Sequence, residues 1–173
     1  MSKIIFITGG ARSGKSRLAE EIALKHGAPL GYIATGQSGD GEMEERIARH
    51  RSRRGPDWQT LEEPLQLAEV VRGHDGYFQA MLVDCVTLWL TNLLLTYDDA
   101  PRALAGVKEL TGMFPHLTTP LILVSNEVGM GIVPENRLAR TFRDLAGEAN
   151  ELLAATADEV YVTISGLPLK LKG

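Results

Sequence analysis

Apolar residues fall along this chain in short unbroken runs, separated by stretches in which they recur every three to four positions. The runs are residues 3–8 (KIIFIT), 30–35 (LGYIAT), 80–84 (AMLVD), 121–125 (LILVS) and 159–165 (EVYVTIS). Short continuous apolar runs bounded by turn residues suit strands buried on both faces. Residues 58–61 add a shorter candidate. Helical spacing predicts helices over 17–26, 64–72, 88–95 and 136–155. The first carries Leu18 and Ile22 and stops at Gly27; the second carries Leu65, Leu67, Ala68 and Val71. The longest has a stripe of Leu138, Phe142, Leu145, Ala149, Leu152 and Leu153, with Pro134 placed to start it. Residues 98–105 read as loop and then helix, and 97–120 is the least legible region. Strands alternating with helices predict an α/β fold, a largely parallel central sheet flanked by helices. Without an internal repeat, a low-complexity tract or a boundary, residues 1–173 are expected to form a single domain.

The first strand leads into GGARSGKS at residues 9–16, which fits G-x-x-x-x-G-K-[ST] with Gly9, Gly14, Lys15 and Ser16 in place. The glycines let backbone N–H groups turn inward around phosphates, and Lys15 reaches the outer ones. The Ser16 hydroxyl can coordinate Mg²⁺, and the following helix points its positive end at the anion. The preceding strand and following helix separate this pattern from a chance glycine-rich turn. The motif predicts nucleotide binding without choosing among kinase, GTPase, motor or transporter. Asp84 ends another apolar run. There it suits a Mg²⁺-organising acid at the carboxyl edge of the sheet, and equally a helix cap.

Residues 42–54 predict a further helix, with Glu42, Glu44 and Glu45 in its first turn and arginines in the rest, an order that complements the helix dipole. Gly55-Pro56 closes it. RIARHRSRRG, residues 46–55, sets His50 among five arginines. On a helix, Met43, Ile47 and His50 share one face, so the ring leans towards protein or a cleft. Nearby positive charge disfavours imidazolium and biases the ring to its neutral, nucleophilic form. Guanidinium forks match phosphate oxygens. A neutral imidazole beside a triphosphate could attack the α-phosphorus and form a covalent nucleotidyl-enzyme. Spacing alone equally allows a surface histidine on a solvated basic helix. His26, His74 and His116 stand near turn signals without such company and read as surface residues.

Composition narrows the field. The chain has 173 residues and a net charge of -4, with 44% hydrophobic and 23% charged residues, ordinary for a globular protein. No apolar run reaches the roughly 18 residues of a membrane span. The N-terminus runs straight into the glycine loop, unlike a signal peptide. One cysteine, Cys85, excludes an intramolecular disulfide and a cysteine zinc cluster. A cytoplasmic location is expected. The acidic balance argues against general nucleic-acid binding. A guanine-reading N-K-x-D motif is missing, which argues against a GTPase switch. A single-activity small-molecule kinase and a nucleotide-dependent regulatory module remain as alternatives.

Several segments together resemble the bifunctional adenosylcobinamide kinase / adenosylcobinamide-phosphate guanylyltransferase family of cobalamin biosynthesis. They are ITGGARSGKS, YIAT at 32–35, EMEERIARHRSRRG at 42–55, LVDCVTLWLTNLL at 82–94, and VSNEVGMGIVPENRLARTFRDLAGEANELLAATADEV at 124–160. The last is the most specific. The resemblance implies a RecA-like P-loop NTPase fold, usually oligomeric and expected as a trimer. It implies phosphorylation of adenosylcobinamide by ATP or GTP, then transfer of GMP from GTP to the phosphate through a guanylyl-histidine. The matching position is His50. Implied nucleotide contacts are Gly9, Gly10, Ala11, Arg12, Ser13, Gly14, Lys15 and Ser16, then Ala34, Thr35, Gly36, Arg51, Ser52, Arg53, Arg54, Glu62 and Asp84. Mg²⁺ is expected with the nucleotides, at Ser16 and Asp84. Asn126 and Glu127, at the end of a strand, fit two readings: an active-site wall with Glu127 positioning the substrate hydroxyl, or a structural turn and subunit contact.

Overall fold

The structure is a computed structural model that describes residues 2–36 and 55–173. Its frame is a seven-stranded sheet in the order β3-β2-β4-β5-β1-β6-β7. The strands are β1 Ile4–Gly9, β2 Leu30–Ala34, β3 Trp58–Glu62, β4 Ala80–Asp84, β5 Leu121–Asn126, β6 Glu159–Ile164 and β7 Leu167–Lys172. The first six run parallel, and β7 pairs antiparallel to β6 at the edge. The central strands β1, β2, β4 and β5 are buried nearly throughout, as their unbroken apolar runs require.

Five α-helices lie among the described residues: α1 Lys15–Leu24, α2 Leu67–Gly73, α3 Val86–Tyr97, α4 Ala100–Met113 and α5 Arg137–Thr156. Alternation along each strand splits the core in two. Ile5, Ile7, Tyr32, Leu82, Ile122 and Val124 pack with Ala19 and Ala23 of α1 on one face. Ile4, Phe6, Ile33, Met81, Val83, Leu121 and Leu123 pack with α2 to α5 on the other. No helix among the described residues is long and apolar enough to cross a membrane.

Several elements differ from expectation. Helix α1 starts at Lys15 instead of residue 17, because Gly14, at φ 99°, ends the loop and serves as its N-cap. Helix α2 starts at Leu67 instead of residue 64, because the Glu63 carboxylate accepts from the Leu65 and Gln66 N–H groups and holds a turn there. Helix α3 is two residues longer at each end than residues 88–95. The poorly legible region holds the long α4, capped by Asp99 accepting from Arg102 N–H, with Ala103, Val107 and Leu110 buried. Helix α5 is capped by Asn136, so Pro134 lies outside it. Leu138 on the predicted core stripe is 45% exposed, because that stripe meets the core only from Phe142 onward. Strand β7, for which the apolar pattern predicts nothing, is exposed along its whole length.

Candidate active site at the carboxyl edge of the sheet

Strand β1 delivers the glycine loop to the carboxyl edge of the sheet. Gly9 has φ 149°, and a Cβ there would stand 2.5 Å from the Thr163 carbonyl oxygen and 2.7 Å from its hydroxyl. Glycine is therefore required by contact and by conformation. Gly10, Ala11 and Arg12 are exposed at the loop's tip, with Arg12 left-handed at φ 53°. Ser13 is buried, and its hydroxyl pairs with that of Thr163 at 2.7 Å. Lys15 and Ser16 occupy the first turn of α1, the helix end whose N–H groups and dipole favour an anion. Lys15 is buried, and its Nζ donates to the Gly10 carbonyl at 2.6 Å, so the ammonium lies folded across the loop.

Strand register brings the other described residues to the same edge. Ala34 pairs with Glu62 on one side and Asp84 on the other. Asp84 pairs in turn with Val124, and Gly9 with Asn126. Glu62, Ala34, Asp84, Asn126 and Gly9 thus end five adjacent strands at nearly one level. That is where ligands bind in open parallel sheets. Asp84 is half-buried and Glu62 exposed. Thr35 is fully buried: its hydroxyl donates to the Cys85 carbonyl at 2.7 Å and accepts from the Cys85 N–H at 2.9 Å. Its side chain therefore fastens β2 to the strand end that carries Asp84. Gly36 follows, half-buried beside Leu88. Burial, and then the Asp84 charge, push the Cys85 thiol up to about 11, which leaves it a packing residue and not a nucleophile.

The end of β5 is fixed from three sides. The Thr87 hydroxyl accepts from the Asn126 N–H at 2.6 Å, Asn150 Nδ2 donates to the Asn126 carbonyl at 3.2 Å, and the Glu127 N–H donates to the Gly9 carbonyl at 2.9 Å. The Glu127 carboxylate accepts from the Gly129 N–H at 2.6 Å. Asn126 and Glu127 therefore build a turn and also abut the phosphate loop. His50, Arg51, Ser52, Arg53 and Arg54, with the helix predicted over 42–54, lie outside the described residues. His26 and His116 are exposed as expected, whereas His74 is half-buried and stacks on Phe78. Thr87, Asn150 and Thr163 carry no motif. Only the Ser165-Gly166 pair after β6, a recognisable hairpin signal, could have pointed to one of them.

A glycine loop between the first strand and helix of a parallel sheet, with an acid ending the strand next but one, across the intervening β5, defines a P-loop NTPase fold of RecA-like type. Solved structures agree on the fold. The P4 protein of bacteriophage phi6 in complex with ADP superposes with a TM-score of 0.50 at 17% identity, over 96% of this chain and 52% of that one. The type III secretion ATPase EscN of enteropathogenic E. coli gives 0.57 at 15% identity, over 93% and 42%. Residues 5–171 match the family model described as cobinamide kinase / cobinamide phosphate guanyltransferase, and the chain belongs to that family. It is 51% identical over 168 residues to the bifunctional adenosylcobalamin biosynthesis protein CobP of Pseudomonas aeruginosa, covering 96% of each chain. It is 42% identical to CobU of Escherichia coli K12 and 43% identical to CobU of Salmonella typhimurium, in both cases over 98% of this chain and 99% of the relative.

Proposed function

We propose that this chain catalyses two successive phosphorus-centred transfers. First, ATP or GTP phosphorylates the hydroxyl on the aminopropanol arm of adenosylcobinamide. Second, GTP gives GMP to that phosphate through a guanylyl-His50 intermediate, leaving adenosylcobinamide-GDP and pyrophosphate. The observation that carries the reading is full-length family membership in a chain whose phosphate loop opens on the carboxyl edge of the sheet. The whole chain acts as one nucleotide-binding transferase domain.

In the kinase step the loop N–H groups and Lys15 hold the outer phosphates. Both steps need positioning and charge neutralisation more than covalent machinery. Ser16 and Asp84 would hold Mg²⁺. Their hydroxyl and carboxylate oxygens are hard donors, and the described residues contain no cluster of three or more His, Cys, Asp or Glu. That sparse set suits an ion ligated largely by phosphates and water. Bound there, Mg²⁺ would neutralise phosphate charge. Ala34, Gly36 and Glu62 contact the nucleotide, and Thr35 does so through its backbone, since its hydroxyl faces inward.

In the guanylyl step the His50 imidazole attacks the α-phosphorus and pyrophosphate leaves. An oxygen of the corrinoid phosphate then attacks the phosphoramidate and frees the ring. Arg51, Ser52, Arg53 and Arg54 hold the triphosphate. The protein works as a homo-oligomer, with a trimer the expected state. Exposed apolar residues support assembly: Met130 (89%) and Ile132 (96%) after β5, and Ile164, Leu167, Leu169 and Leu171 on the β6–β7 edge.

Incubation with [α-³²P]GTP tests the reading. Wild-type protein is expected to take up acid-labile, base-stable label, and His50→Ala to take up none while still phosphorylating the corrinoid. Label that survives in His50→Ala would refute the intermediate. Corrinoid phosphorylation by a wild-type protein that never labels would leave a single-activity kinase.

A further inference from the structure

We infer that the C-terminal β6–β7 hairpin is a strut that holds the phosphate loop in shape, and that Thr163 is its positioning residue. The inference rests on the phosphate-loop reading above. The hairpin closes through Ser165 and Gly166, both at positive φ (53° and 84°), the signature of a two-residue type I′ turn. That turn lies directly against the loop. The Gly166 N–H donates to the Ser13 carbonyl at 2.9 Å, and Arg17 Nη2 donates to the Gly166 carbonyl at 3.1 Å. A Cβ on Gly14 would stand 3.2 Å from Gly166 Cα. Three residues earlier, in β6, Thr163 closes on Gly9 through its carbonyl and pairs its hydroxyl with Ser13.

The hairpin therefore touches the loop at Gly9, Ser13 and Gly14, and α1 at Arg17. Thr163 is central for a physical reason. Ser13 and Thr163 are both buried, at 7% and 2% exposure, so their hydroxyls cannot turn to water instead. Without the Thr163 hydroxyl, the buried Ser13 hydroxyl loses its hydrogen-bond partner. A buried hydroxyl without a partner is costly, and the loop would shift to relieve it. A phosphate cradle works only if its N–H groups already point inward when the anion arrives. Disturbing the strut should thus weaken nucleotide binding without touching the corrinoid.

The test uses full-length Thr163→Val, Thr163→Ser, Ser13→Ala, the Ser13→Ala/Thr163→Val double variant and Lys15→Ala. GDP affinity is measured by calorimetry, and KM for GTP and for cobinamide in the kinase step. Thr163→Val is expected to weaken GDP binding and raise KM for GTP by roughly five- to twentyfold. KM for cobinamide should stay within about twofold, and Thr163→Ser should restore wild-type values. The double variant should be no worse than Thr163→Val, because both changes break one contact. GDP affinity in Thr163→Val within about twofold of wild type, or an equal loss in Thr163→Ser, overturns the inference. If Thr163→Val does not fold, Ser13→Ala reads the same contact from the loop side, and unchanged affinity there overturns it. Lys15→Ala separates the levels. Unchanged GDP affinity in Lys15→Ala refutes the phosphate-loop reading itself. Loss in Lys15→Ala with none in Thr163→Val refutes the strut alone.

Discussion

Replacing Thr35 by valine removes one hydroxyl and leaves the shape of the side chain nearly unchanged. The site is fully buried, so water cannot fill in. Two hydrogen bonds disappear, one to the Cys85 carbonyl at 2.7 Å and one from the Cys85 N–H at 2.9 Å. The carbonyl keeps the Trp89 N–H at 3.2 Å, so the Cys85 N–H bears most of the damage. A buried group left unpaired costs about 1–3 kcal/mol, and the second bond adds about 1 kcal/mol. A destabilisation of about 2–3 kcal/mol is expected. For a domain of this size that lowers Tm by roughly 4–12 °C. Urea unfolding followed by far-UV circular dichroism measures it: the midpoint should fall with the m-value unchanged. Thr35→Ser should recover most of the loss. Because Cys85 directly follows Asp84, kinase kcat/KM should fall in Thr35→Val as well. A stability change below about 0.5 kcal/mol, or equal losses in the serine and valine variants, would refute the assignment of Thr35 as the tie between β2 and β4.

Two further outcomes follow from the geometry. Gly9→Ala should cost more than about 2 kcal/mol in stability and abolish measurable GDP binding, since the new Cβ meets the Thr163 backbone at 2.5 Å; a soluble variant with wild-type GDP affinity would contradict this close approach. Glu159 has its carboxyl lowered to about 2 by hydrogen bonds from Lys170 and then Lys3. A depressed carboxylate stabilises above its unfolded pKa, near 4.5, and loses that contribution as pH falls towards 2. Both lysines are largely exposed, so the gain is about 1 kcal/mol. The stability gap between wild type and Glu159→Gln should be present at pH 7 and close between about pH 4.5 and 2 in urea titrations.

Much of this molecule could be read from local pattern. Strands β1, β2, β4 and β5 announce themselves because burial on both faces demands unbroken apolar runs, and β6, only partly buried, through the β-branched and aromatic residues of EVYVTI. The phosphate loop announces itself because phosphate binding demands glycine, lysine and a hydroxyl at set spacing over eight residues. Helix α4 is obscure because its fully buried apolar residues are only Ala103, Val107 and Leu110, too sparse a stripe to stand out between the turn at Asp98 and the Phe114–His116 turn. Strand β7 gives no signal because LPLKLK is exposed throughout and carries a proline and two lysines, so burial leaves no mark on it.

By itself, then, the sequence determined the α/β class, the phosphate loop and its likeness to a corrinoid-activating family. Each of these is written in neighbouring residues or in the order of segments. The tertiary structure alone decided that Glu62, Ala34, Asp84, Asn126 and Gly9 end at one edge, because strand register is set by packing between distant segments. It alone turned the Thr35 hydroxyl inward to Cys85 and joined Ser13 to Thr163 across 150 residues. A buried hydroxyl takes whichever partner the folded chain brings within reach, and no spacing along the chain records that choice.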